Sequence, residues 1–162
     1  MIERYALVSG RIRAEMGDLN RVVERAIQAM QHCETRPGEQ SFLVDAAALN
    51  LHDFYTGLER LFQHIALNVD RVVPEGRDWH RELLRQMSAE APGIRPAVLS
   101  PDASRALDEY LRFRHIVRNV YAFEFDPDRV WRLVERLGDC YARARSDLLA
   151  FSDYLESLAR AG

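Results

Sequence analysis

Residues 41–73, SFLVDAAALNLHDFYTGLERLFQHIALNVDRVV, decide the fold. Leu51, Phe54, Tyr55, Leu58, Leu61, Phe62, Ile65 and Val69 recur every three or four positions, which is the spacing of one helix face. The stripe is wider than a helix covering one side of a core requires, so the segment reads as the central helix of a bundle. Pro74-Glu75-Gly76 ends it.

The same periodicity extends in both directions. Residues 2 to about 34 predict a long helix, with Leu19, Val22, Val23, Ala26, Ile27 and Met30 on one face. Gly10 and Gly17 weaken its first half and predict a bend or fraying there. The sequence TRPGEQ, 35–40, is a turn. Beyond the central helix, RDWHRELLRQMSAE, 77–90, predicts a shorter helix carrying Trp79, Leu83, Leu84 and Met87, and the prolines and glycine of 91–99 make a loop. Ser100-Pro101-Asp102 is a helix start: a capping hydroxyl, proline at the first helical position, and an acid at the positive helix end. That helix is expected to reach about Ala122. Asp126-Pro127-Asp128 repeats the signal, and the last helix runs to about Ala159. No segment alternates with period 2. The expected architecture is all-α: an up-and-down four-helix bundle with an additional short helix, residues 1–162 forming a single domain.

Composition excludes several classes. At a formal net charge of −3 the whole chain is not a polyanion-binding surface, so contact with nucleic acid requires a local basic patch. No apolar run approaches the roughly 18 residues that span a bilayer, and the first residues lack the apolar stretch of a signal peptide. A cytoplasmic protein is expected, with no membrane partner. Cys33 and Cys140 are far apart and outside any C-x-x-C motif, and read as reduced thiols. His52 and His64 flank Glu59 without forming the Glu-x-x-His pair of a di-metal bundle, Trp79-His80 reads as an aromatic anchor with a polar neighbour, and His32 beside Cys33 lacks a third ligand. No metal and no cofactor are expected; nucleotide-binding and metalloprotease motifs are absent.

One stretch carries chemistry: LRFRHIVRNVYAFEF, 111–125. Arg112, Arg114, His115, Arg118, Asn119 and Tyr121 are interleaved there with Phe113, Ile116, Val117 and Val120. A solvated face does not need so many apolar neighbours, and a plain core helix does not carry so much charge, because buried charge is costly unless paired. Arg114, Arg118 and Tyr121 fall at i, i+4 and i+7 on one stripe, with His115 and Asn119 on the next. The helix is expected to line a polar cleft or a subunit interface. The bland alternative is that its arginines pair with Glu124, Asp126 or Asp128 and fix helix ends.

The stretch FRHIVRNVYAFEFD resembles the signature of HepT-like proteins of the HEPN superfamily: an arginine, four to six residues, a histidine, and often one further residue and a tyrosine. Arg114, Asn119 and Tyr121 fill that frame here. LHDFYTGLERLFQHIA, 51–66, and DWHRELLRQM, 78–87, are similar to the same family, so the likeness covers roughly residues 40–135. The resemblance implies a homodimer whose composite cleft cleaves RNA without metal, an imidazole moving the proton while arginines hold phosphate. It also implies a toxin–antitoxin setting, with a nucleotidyltransferase antitoxin able to modify the motif tyrosine, here Tyr121. Arg112, Arg114 and Arg118 are then the RNA-binding candidates. The position of the catalytic histidine holds Asn119, whose amide does not exchange a proton near neutral pH. Two readings follow: His115, one turn earlier, supplies the imidazole, or the chain is a non-catalytic dimer that binds RNA or the nucleotidyltransferase.

Overall fold

The computed structural model describes residues 2–162. Five α-helices follow in order: α1 Ile2–Thr35, α2 Gln40–Ile65, α3 Trp79–Ser88, α4 Pro101–Asn119 and α5 Pro127–Ala161. Short 3-10 turns, Pro37–Glu39 and Ala122–Glu124, precede α2 and α5. The described residues form no named strand, and the architecture is the expected all-α bundle.

The helix 40–65 is its centre. α2 packs against α1, α3, α4 and α5, whereas α3 packs mainly against α2, α4 and the turn after α2. The reason is the width of its apolar stripe: Leu51, Phe54, Tyr55, Leu58, Phe62 and Ile65 are all fully enclosed. Phe54 meets the rings of Tyr110 and Tyr141 edge-on, centroids 5.4 and 6.3 Å away, and so joins α2 to both α4 and α5. Both tyrosine hydroxyls donate to backbone carbonyls, Tyr110 to Leu133 and Tyr141 to Met16.

Both sequence-read helix starts form as caps. The Ser100 hydroxyl accepts from the Ala103 amide at 3.2 Å, and the Asp126 carboxylate accepts from the Asp128 amide at 3.1 Å. Three boundaries differ from expectation. Helix α1 is continuous through Gly10 and Gly17, because its opposite face, with Val8, Ile12, Met16 and Leu19, is clamped into the core, and this packing outweighs propensity. The regular part of the second helix ends at Ile65 and widens into a π turn over Ala66–Asp70, which Arg71 stops in the left-handed conformation (φ 60). Helix α4 ends at Asn119, since Val120 is already extended; Tyr121 therefore lies beyond the helix rather than on it.

Both cysteines are free. Burial pushes the Cys140 thiol up to about 12, which makes it a core residue without thiolate chemistry.

Candidate functional site

Three helices bring one charged residue each to a common point. Glu59 comes from α2, His80 from α3 and Arg114 from α4. Glu59 sits on the apolar stripe between Tyr55 and Phe62 and is only 3 % exposed. Its Oε2 lies 2.7 Å from Nδ1 of His80, and its Oε1 lies 3.3 Å from an Nη of Arg114. Such a buried carboxylate is tolerated only because cationic or donor groups face it on two sides. Burial, and then the Glu59 charge, pushes the Tyr55 phenol one turn away far above its usual range. The arrangement leaves one group unsatisfied: Arg114 Nε is buried and without a partner.

His80 links this buried cluster to the surface. Its ring packs against Trp79, centroids 3.5 Å apart, and it forms part of the wall of a groove of about 410 Å³. Arg77, Arg81, Arg112, Arg129 and His115 share that wall, with Asp78 as its one carboxylate. Elsewhere on the surface some arginines are paired, Arg13 with Asp153 and Glu156, Arg136 with Glu109, Arg85 with Glu82, and others, such as Arg21, Arg25 and Arg132, are not; what distinguishes the groove is that its arginines converge on one wall. In the groove only Arg112 is paired, with Asp108 at 2.7 Å; among the described residues no carboxylate lies within 4.0 Å of Arg77, Arg81 or Arg129. Clustered cations without counter-charges attract anions, and guanidinium groups suit phosphate oxygens in particular.

The structure distributes the residues singled out in 111–125 over three settings. Arg112 and His115 line the groove. Arg114 is buried, 7 % exposed, and joins the groove only through Glu59 and His80. Its carboxylate partner is Glu59, not Glu124, Asp126 or Asp128, because the helix turns those residues away beyond its end. Arg118, Asn119 and Tyr121 lie outside the groove wall, and all three are exposed. The Asn119 amide donates back to the His115 carbonyl at 2.6 Å, so it is engaged with its own helix. The Tyr121 ring stacks on Phe123, centroids 5.4 Å apart and nearly parallel, with the two residues 72 % and 83 % exposed.

Sequence reasoning missed Glu59, His80 and the three arginines 77, 81 and 129 as one site. A signal existed for Glu59: a carboxylate at i+4 from Tyr55 and three before Phe62 falls on the buried stripe and needs a partner. Nothing local marks His80 or Arg129 as its neighbours. Among the described residues no group of three or more acidic, histidine or cysteine side chains is placed to hold a metal ion, and no helix is long and apolar enough to cross a membrane.

The fold is thus an all-helical bundle with a polar cluster at the junction of its second, third and fourth helices, consistent with a HEPN-like architecture. A family model of HepT-like proteins matches residues 46–155, a span that includes α3, α4 and every residue of the groove. The chain belongs to the HepT-like family. No curated protein and no solved structure matches it.

Proposed function

We propose that this HepT-like protein acts on RNA within a toxin–antitoxin pair, and that the basic groove is its phosphate site. One observation carries the reading: Arg77, Arg81 and Arg129 surround the groove without carboxylate partners, beside Arg112. Phosphate is the ligand that such a set of planar donors fits best. The motif itself offers binding rather than chemistry at position 119, because Asn119 is an amide already bonded to its own helix.

The test is binding of single-stranded RNA, followed by fluorescence anisotropy from 50 to 200 mM salt. The double variant Arg81→Ala/Arg129→Ala is expected to weaken affinity and to flatten the salt dependence by about one unit of slope for each phosphate no longer neutralised. Wild-type affinity and slope in a folded variant would remove the groove from the reading.

The proposal includes a two-fold homodimer with α4 near the axis. It is supported by the exposed aromatic stack at the end of that helix, which a partner surface would cover. Light scattering at tens of micromolar that returns a monomer mass would reject it. The accessible Tyr121 phenol favours a second reading of the same corner, as the place where a nucleotidyltransferase antitoxin docks and modifies the chain.

A further inference from the structure

The histidine expected of the motif is missing, yet the groove contains two imidazoles, and one of them is held in a way that the rest of the surface does not repeat. His80 Nδ1 lies 2.7 Å from a Glu59 oxygen, and Glu59 is 3 % exposed. A carboxylate at this distance fixes both the ring orientation and the tautomer: Nδ1 carries the hydrogen and donates it, which leaves Nε2 as the free basic nitrogen. Trp79 packs on the ring and restricts it further. Glu59 also meets Arg114, whose Nε is buried and unpartnered, so the carboxylate is oriented by two helices at once. His115 stands on α4 in the wall of the same groove, and its ring has no partner among the described residues.

We propose that His80, positioned by Glu59, is the proton-transfer residue of an RNA-cleaving site in this groove, with His115 as the second imidazole. The proposal rests on the groove being the RNA site. Nε2 of His80 takes the proton from a ribose 2′-OH. The 2′-oxygen forms a bond to the adjacent phosphorus as the bond from phosphorus to the 5′-oxygen breaks. His115, as imidazolium, gives its proton to that leaving oxygen. The products are a 2′,3′-cyclic phosphate and a 5′-hydroxyl end, so no water, metal or redox partner enters this step. Arg77, Arg81, Arg112 and Arg129 face the charge that develops on the phosphate.

The experiment uses the full chain, a fluorescently labelled single-stranded RNA with EDTA present, and a 2′-O-methyl RNA of the same sequence that binds but cannot be cut. Wild type is expected to cleave the first RNA and leave cyclic-phosphate ends. His80→Ala should lower kcat by about 10²- to 10⁴-fold, keep its affinity for the 2′-O-methyl RNA, and recover part of its rate with added imidazole. Glu59→Gln tests positioning: kcat should fall while KM stays. If Glu59→Gln does not fold, His80→Ala and His115→Gln, both on the surface of the bundle, carry the test alone. Full-rate cleavage by His80→Ala overturns the proposal, as does wild type that binds the 2′-O-methyl RNA and cuts nothing. A wild type that binds neither RNA fails at the earlier step and rejects the groove as an RNA site.

Discussion

Arg95 and Arg114 are both buried, 4 % and 7 % exposed, but their surroundings differ in kind. Arg95 grips Asp70 with two parallel bonds, Nε to Oδ1 at 2.5 Å and an Nη to Oδ2 at 2.8 Å. Its other donors reach the carbonyls of Gln86, Ala89 and Pro96. The Gln86 amide completes the network by donating to Asp70 and to the Val72 carbonyl. Every guanidinium nitrogen there has a partner, and the result is a clamp that ties the 91–99 loop to the end of the second helix. Arg114 has one carboxylate oxygen at 3.3 Å, shares that carboxylate with His80, and leaves Nε unpaired. An unpaired buried donor costs about 1–3 kcal/mol, which a purely structural arginine has no reason to retain. A saturated guanidinium holds a conformation; the Arg114 guanidinium, bonded only to the carboxylate that also holds His80, acts on the groove through that carboxylate.

The largest effect expected from this contrast is at the clamp. Asp70→Ala strands a buried guanidinium and should lower stability by about 3–5 kcal/mol, measured by urea unfolding. A drop under about 1 kcal/mol, the scale of a surface pair, would show that the Arg95 network is not what holds the loop. Arg114→Met keeps the length of the stem and leaves Glu59 with His80. It should destabilise by only about 1–2 kcal/mol, while RNA binding or cleavage changes more than stability does. Equal destabilisation by Asp70→Ala and Arg114→Met would erase the distinction and make Arg114 a second structural clamp. The smallest effect sets the scale. A Cβ added at Gly10 meets nothing within 4 Å, and the residue is exposed within α1. Gly10→Ala should therefore stabilise by about 0.5–1 kcal/mol and leave RNA binding as it was. A change in binding would mean that α1 reports on the groove, and that the two sites cannot be compared independently.

Much of the bundle is legible in the chain itself. Local rules place the caps at Ser100 and Asp126, and the 3.6-residue stripe places the central helix, because both depend on residues within one or two turns of each other. The misreadings share a cause. The glycines of α1 predict a bend, but the packed face opposite them is not visible in a local window. Periodicity carries the second helix to 73, yet it changes to a π turn at Ala66, where Asp70 meets Arg95 from 25 positions away. The same pattern carries the fourth helix to about Ala122, and it stops at Asn119.

The site divides in the same way. That the stretch 111–125 is chemically exceptional follows from its composition alone, since arginine, histidine and apolar residues in that density fit neither a solvated face nor an ordinary core. Which of those side chains meets a ligand does not follow from it. One helical stripe carries Arg114 into the core and, a turn later, Arg118 toward the surface, because the helix leaves the bundle between them. Glu59 and His80 are 21 positions apart, and Arg114 is farther still; only the packing of α2, α3 and α4 makes them neighbours. Helix periodicity and capping are properties of nearest neighbours along the chain and are written in the sequence. A buried carboxylate shared by an imidazole and a guanidinium is a property of three helices at one point, and it exists only once they pack.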